Sequence, residues 1–515
     1  MALIAADIVA MNAVINNTPA MSAVAGSATA VGAIVANAVA MNAVIISSVA
    51  MHALANSYTS MNIISINQAA IIAIVGSPIA MEAMANHEIS MELIIGTHNF
   101  LTAVCQGTIA MGAIAADSVA MNAFANSTTG MDVLASTPVS MIAINSNVTH
   151  INILLNSRIA MFYLGKHNAI TSSYSNYKTT HNNIISRNDS LISAYLAGWL
   201  GAAYYNDYKT LADIINNNNY LTALGNNDTL MILLNANTAS KEAIVIDIAK
   251  VIANSIFWTS CCNKKNIIDT VAASSSAMNI VSANSNAMTI INSFTTAITA
   301  CNTSTNAMWY IGKSSTARGV SNYTPTSSNV AGLNSASHSA YVQGIVNKSY
   351  IGNWTTLAGN SDYMTAIATN NTATSAVVAS NVSMNAIAAS KTSLKLMYDN
   401  SVGLTGMQGS AIAKNALNSS PNASAEKACT EQSSSVSNVT LLSSGYHLVT
   451  RLYAYDSYAS DAGGSGTGTI NFGNTSGSYT VTGTGGSTSN VSILMPCKSV
   501  VYSSSVSGKY TGECK

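Results

Sequence analysis

His87-Glu88-Ile89-Ser90-Met91 opens like the zinc-binding pattern His-Glu-x-x-His, in which two histidines one helical turn apart hold the metal and the glutamate acts as base. Met91 stands where the second imidazole belongs, so His87 reads as a turn residue and not as a ligand. Cys261 and Cys262 are adjacent and lack a C-x-x-C partner, and seven cysteines, an odd number, do not make a disulfide framework. Cys497 and Cys514 flank the last apolar runs and are placed to pair in an oxidising medium; free buried thiols are the alternative. The glycine-rich run 463–468, GGSGTG, follows no apolar strand, so it reads as a loop and not as a dinucleotide cradle. A glycosidase pair would have to come from Asp456, Asp461 and Glu513, in a chain with 20 acidic residues among 515. The eight histidines are scattered, and the sequence assigns no catalytic, cofactor-binding or metal site.

What the chain does have is a beat. At the positions ending in one, from 1 to 161, thirteen of seventeen residues are methionine and the rest are apolar. Three positions later the slot is again large and apolar. The pairs Met11 and Val14, Met21 and Val24, Met41 and Val44, Met51 and Leu54, and Met81 and Met84 show it, as do Met111 and Ile114, Met121 and Phe124, and Met141 and Ile144. These sixteen residues are the expected repeat core. A fixed internal period is read before any other feature because it decides the fold.

Ten residues at about 100° each leave an unbroken helix drifting by roughly 80° per repeat, so one long coiled coil is excluded. Turn formers at positions six to eight of each block supply the break, and Ser77-Pro78 and Thr137-Pro138 look like an N-cap followed by proline at the first helical position. Each block is thus one short helix. With methionine at 0°, the preceding Ala, the following Ala and the large residue form an apolar arc. The residue just after methionine (Asn12, His52, Glu82, Asn122) points to solvent. Helices of two turns are unstable alone and must stack, so the expected fold is mainly α, a repetitive elongated rod or solenoid with a ten-residue period. Methionine here fills the core and binds no metal.

The boundaries follow the beat. Residues 1–165 are the strong repeat shaft, 166–255 degenerate repeats and 256–267 a phase break. A second repeat segment spans 268–318, an irregular insertion 319–353 and a third repeat segment 354–420. A linker over 421–445 leads to 446–515, where TINF, SYTVTGT, NVSILM and KSVVYSSSV, divided by glycine-rich turns, predict a small all-β tip.

Charged residues are only 8% and the net charge is zero, which argues against nucleic-acid or membrane-surface partners, while 49% apolar residues is too many for disorder. The best apolar run, 191–205, is shorter than the roughly 20 residues a membrane span needs. Met1 is in phase with Met11, so the first block reads as repeat and not as an export signal.

The phrases AMNAVIN, AMSAVAGS, AMNAVIIS, AMNAFANSTTGM and SMNAIAAS resemble the decapeptide repeats of tail fibre and appendage proteins in large tailed bacteriophages. The likeness is strong over 1–165 and moderate over 268–310 and 360–400. It implies a structural virion protein located in the tail appendage and assembled in the host cytoplasm. The expected partners are itself as a homotrimer, other tail or baseplate proteins, and a host-surface receptor. One departure is that the chain opens in repeat where such fibres often carry an attachment domain. A bacterial surface adhesin stalk and a fibre with a polysaccharide-depolymerising tip are the alternatives.

The trimer is also expected because so many large apolar slots on a thin rod call for partners to cover them. Receptor or partner contact is expected at Arg451, Tyr453, Tyr455, Asp456, Tyr458 and Asp461, where aromatics and charges gather. The competing reading is that Tyr453 and Tyr455 share one face of a strand and pack the tip's own core.

Overall fold

The computed structural model describes residues 1–185 and 188–423 in full, the backbone of the strands beyond them, and side chains at 447–450 and 495–497. The chain forms two compact units, Met1–Phe257 and Trp258–Lys515. It is mainly helical, with 41 short α-helices among the described residues in a repetitive arrangement.

Each decapeptide is one helix with its own cap. Asn17 sits in extended backbone and its side chain accepts from the Ala20 N–H at 2.9 Å, starting the helix Thr18–Ala25. Ser77 does the same for Ala80 at 3.3 Å, with Pro78 at the first helical position of Pro78–Ala85. Thr137 precedes Pro138 as expected, but its hydroxyl donates back to the Val133 carbonyl at 2.7 Å and makes no cap bond. Consecutive helices bend sharply at the caps, by 97°, 98°, 104° and 92° at the corners before Ala28, Ser48, Gln68 and Thr108.

After three such corners the chain is back over itself. The helix Ser48–Ala55 packs on Thr18–Ala25, Pro78–Ala85 on Ser48–Ala55, and Thr108–Ala116 on Pro78–Ala85. The cap serines tie these turns together, because a hydroxyl that accepts one hydrogen bond still has a proton to donate. Ser47 donates to the Ile15 carbonyl at 2.9 Å, Ser57 to Ala25 at 2.6 Å and Ser77 to Ile45 at 2.7 Å, each 32 residues back. In the second unit Ser304 reaches Ala272 at 2.8 Å, Ser314 reaches Ser282 at 2.6 Å and Ser390 reaches Ala358 at 2.8 Å, with the same spacing of 32. One side chain thereby satisfies an orphan N–H at the start of its own helix and an orphan carbonyl at the end of the helix beneath.

The core runs inside this coil. Met11, Met21, Val24, Met41, Val44, Met51, Leu54, Met81, Met84, Met111, Ile114, Met121, Phe124, Met141 and Ile144 are buried, while Val14, in the first turn, is half-buried. The apolar arc is rotated from the expected one. The residue before methionine (Ala40, Ala50, Ala80, Ala110) and the fourth after it (Ala25, Ala55, Ala85, Ala115) are buried. The Ala at the second position after the methionine slot is buried at Ala43 and Ala83, as expected, but exposed at Ala13 and Ala23 and half-buried at Ala33 and Ala53. An arc centred about 30° short of methionine takes in those four positions and leaves the second Ala outside. These slots are buried by the chain's own turns, so the core by itself calls for no second copy.

Two boundaries also shift. The phase slip expected at 256–267 begins earlier, because the helix Ile248–Ala253 has six residues instead of eight or nine, which brings the next cap forward. Residues 168–210, expected to be degenerate repeats, instead hold the short helix Asn168–Thr171, two 11-residue helices, Ser175–Ile185 and Asp189–Trp199, and a loop; decapeptide helices resume from Leu211–Ile215. Towards the C-terminus, His447–Tyr455 pairs antiparallel with Thr488–Cys497 and with Gly508–Cys514, and Ser465–Asn471 with Ser476–Thr482. Ser465–Gly468, expected in a loop, are thus strand. The helices before the strands hold this sheet: Gln408 Nε2 donates to the Pro496 carbonyl at 2.9 Å and Tyr398 to the His447 carbonyl at 3.1 Å.

Replacing Ser77 by Ala removes the cap and strands the Ile45 carbonyl, so we expect a loss of about 2–3 kcal/mol in urea denaturation. Glu82→Ala, on the solvent face five residues on, should change stability by less than about 0.5 kcal/mol. Equal effects would show that the bond between turns contributes nothing.

Candidate binding cavity at the first interruption

The expected contact stretch divides at the end of one strand. Arg451, Tyr453 and Tyr455 lie on His447–Tyr455, where Arg451 is opposite Ser492 and Glu513, Tyr453 opposite Asn490 and Thr511, and Tyr455 opposite Thr488 and Lys509. Asp456, Tyr458 and Asp461 lie outside the described residues. The same sheet bears on the cysteines: Cys497 pairs with His447 on one side of that strand and Cys514 with Val449 on the other. Two strand spacings put their backbones about 10 Å apart, beyond the roughly 7 Å a disulfide spans, so the pairing of Cys497 with Cys514 is not made.

The groups singled out for metal chemistry are structural. His87 caps Glu88–Gly96, and its Nε2 lies 3.0 Å from His52 Nδ1. Burial and the neighbouring His52 both lower its pKa, against the pull of Asp117. Cys261, Cys262 and Cys301 are buried thiols raised by desolvation, Cys301 to about 12, which keeps them protonated. Among the described residues no cluster of three or more His, Cys, Asp or Glu side chains suits a metal ion.

The built features are at the two interruptions of the repeat, and they share a design. In the first unit Arg158–Lys166 crosses Asp189–Trp199 at Gly165 and Gly198. A Cβ on Gly165 would lie 2.1 Å from the Tyr195 carbonyl oxygen, and one on Gly198 2.0 Å from that of Phe162. In the second unit Thr305–Lys313 crosses Ser335–Ile345 at Gly312 and Gly344, with corresponding distances of 2.0 Å to Tyr341 and 2.1 Å to Trp309. Both second helices end three residues past the glycine in a left-handed residue, Gly201 (φ 80) and Asn347 (φ 53). The sequence carries the same likeness: AMFYLGK at 160–166 against AMWYIGK at 307–313, and SAY at 193–195 against SAY at 339–341. A search for the ten-residue beat passes over it, since the signal is a pair of distant copies.

The two modules differ in what lies beside the crossing. In the second, Tyr341 donates to the Tyr323 carbonyl at 2.6 Å, and Trp354 Nε1 donates to His338 Nδ1 at 2.8 Å. In the first, a cavity of about 630 Å³ opens beside a file of four rings. Tyr177 and His181 are 4.9 Å apart by centroid, His181 and Tyr195 4.3 Å, and Tyr195 and Trp199 5.7 Å. Arg158 braces the far side, donating to the Ser193 hydroxyl at 3.1 Å and the Tyr205 carbonyl at 2.9 Å, so the loop after the crossing is fixed. His181 is 4% exposed; its Nδ1 lies 3.3 Å from Asn182 Oδ1, an atom that can only accept, so Nδ1 carries the proton. Its Nε2 then presents a lone pair, and that buried atom has no hydrogen-bond partner among the described residues. Burial also raises the Tyr177 and Tyr195 hydroxyls, so both stay protonated.

No protein-family model matches this chain, and no curated protein matches its sequence.

Gly165→Ala should cost more than about 4 kcal/mol or prevent the first unit from folding, since the methyl meets backbone oxygen. Gly112→Ala, where a Cβ meets nothing within 4 Å, should stabilise by roughly 0.5–1 kcal/mol. Thermal unfolding of the two variants checks both signs. Burial also lowers His181 and His338 to about 4. A histidine whose folded pKa lies below its unfolded value near 6.5 costs no stability above 6.5 and a growing amount as pH falls towards 4, by about 1.4 kcal/mol per pH unit for each. Denaturant midpoints should therefore fall between pH 7 and 4.5, and His338→Gln, which keeps an acceptor for Trp354, should flatten that fall. An unchanged slope would rule out His338 as a source of acid sensitivity.

Proposed function

We propose that this chain is a structural component of a tailed-phage virion, a fibre or fibre-like tail appendage whose repeat shaft carries a β-rich tip. The observation that supports it most is that the AMNAV-type wording is the structural unit itself. Methionine lies in the core, the polar residue after it on the surface and the turn residue at a cap that binds the turn below. Such a coil lengthens by adding blocks and presents neutral amides and hydroxyls outward, which suits an elongated rod exposed to varied media. In this reading the tip strands present the receptor- or partner-binding surface, with Arg451, Tyr453 and Tyr455 at the end of one of them.

Self-association as a trimer belongs to the proposal on different grounds from core coverage. Ile79 and Ile109, on helices stacked in successive turns, are 39% and 43% exposed, and a ridge of this kind along one side suits contact between copies. No single helix among the described residues is long and apolar enough to cross a membrane.

The test is peptide mass spectrometry of density-purified virions from the producing host, followed by electron microscopy with antibody against residues 1–165. The expected result is several copies per particle, with label on the tail. Recovery of the protein only in the cell envelope, with none on particles, would favour the adhesin reading and end this one.

A further inference from the structure

The cavity in the first unit has features that a packing defect lacks. Its wall is the file of Tyr177, His181, Tyr195 and Trp199, and Trp199 is half-exposed where the cavity meets solvent. At the opening, Ser172, Asn182 and Thr229 bring exposed hydroxyl and amide groups, and Asn168 is half-buried beside them. Among the described residues no carboxylate lines it, and the cationic residue there, Lys178, is exposed. Deep inside, His181 Nε2 is a buried acceptor without a donor among the described residues. A buried polar atom left unpaired is unfavourable, so a ligand that supplies a donor there recovers that loss.

The chemistry these groups select is narrow. Stacked rings with polar edges favour a flat ligand face made of C–H groups, and a described lining whose interior carries no charged side chain, Lys178 being exposed, favours a ligand without net charge. The side-chain amides and hydroxyls at the opening both donate and accept, as sugar hydroxyls do. The volume falls within the roughly 300–1,000 Å³ of small-ligand sites. We infer that this cavity binds a neutral di- or trisaccharide, with one sugar hydroxyl donating to His181 Nε2 and a sugar ring lying against Trp199. In the second unit Tyr341 and His338 Nδ1 are engaged, while His338 Nε2 is likewise buried without a partner among the described residues, so it is the cavity beside His181, and not an unpaired nitrogen alone, that marks the site.

The inference does not rest on the virion reading, because the test uses the purified full chain. The chain is screened at pH 7.5 on an array of defined neutral and acidic di- and trisaccharides, and hits are titrated in solution with the same free sugars. Two variants accompany it. His181→Phe keeps the ring stack and removes the acceptor, and Ala236→Trp places a large ring at the exposed rim without touching the core. The expected result is binding of at least one neutral sugar, weakened at least tenfold by His181→Phe and abolished by Ala236→Trp, with the helical circular dichroism of both variants unchanged. If His181→Phe loses helicity, Ala236→Trp alone decides. No bound sugar on the array, binding confined to acidic sugars, or full affinity in a folded Ala236→Trp protein would overturn the inference.

Discussion

Everything in this chain depends on a hydroxyl or amide that sits between two helices. An eight-residue helix leaves roughly twice as many backbone groups unpaired at its ends as it has bonds inside, and in isolation it melts. The cap residue resolves this by working in two directions. Ser77 holds the Ala80 N–H in the first turn of its own helix and the Ile45 carbonyl at the end of a helix one turn below. The same residue makes the corner sharp, because it is extended between two helical stretches. Stacking, bending and backbone satisfaction are therefore one event, and the ten-residue period is the shortest helix plus its corner.

Given that constraint, the use of methionine and alanine follows. Three sides meeting at corners leave a narrow interior of uneven width, and a flexible thioether fills it without demanding one shape. Alanine before the methionine lets neighbouring turns approach, and where serine replaces it the hydroxyl has a carbonyl to reach: Ser60 finds Ala25 at 2.8 Å and Ser140 finds Cys105 at 2.9 Å. The glycines at the two crossings extend the same logic to its limit, where even a methyl group would meet backbone.

The sequence made much of this readable. The beat gave the helix lengths, the caps and most of the core residues, because periodic burial leaves a periodic trace. It misplaced the second alanine, since a helix this short is oriented by its end contacts as much as by its widest apolar face. It also led to covering the core with other copies, because a one-dimensional pattern does not say that the fourth helix returns over the first. The cavity was out of reach: His181 and Tyr177 are ordinary residues in a polar stretch, and only the crossing of Gly165 with Gly198 brings Tyr195 and Trp199 beside them. The stretch Arg451 to Tyr455 stood out as a contact candidate, with a strand packing the tip as its alternative, and it lies on a strand that the apolar runs did not mark.

The spacing of 32 residues between bonded caps and carbonyls has a consequence for how such a chain can change length. Side chains keep their bearing only when whole turns of three helices are gained or lost. Gain or loss of a single decapeptide would leave every local bond intact and yet carry all later residues of that unit around to the next side. Duplication in tens is therefore cheap for folding but reassigns which residues look in which direction. The coil counts in threes, and any surface that must face a given way can drift in sequence far more freely than in length.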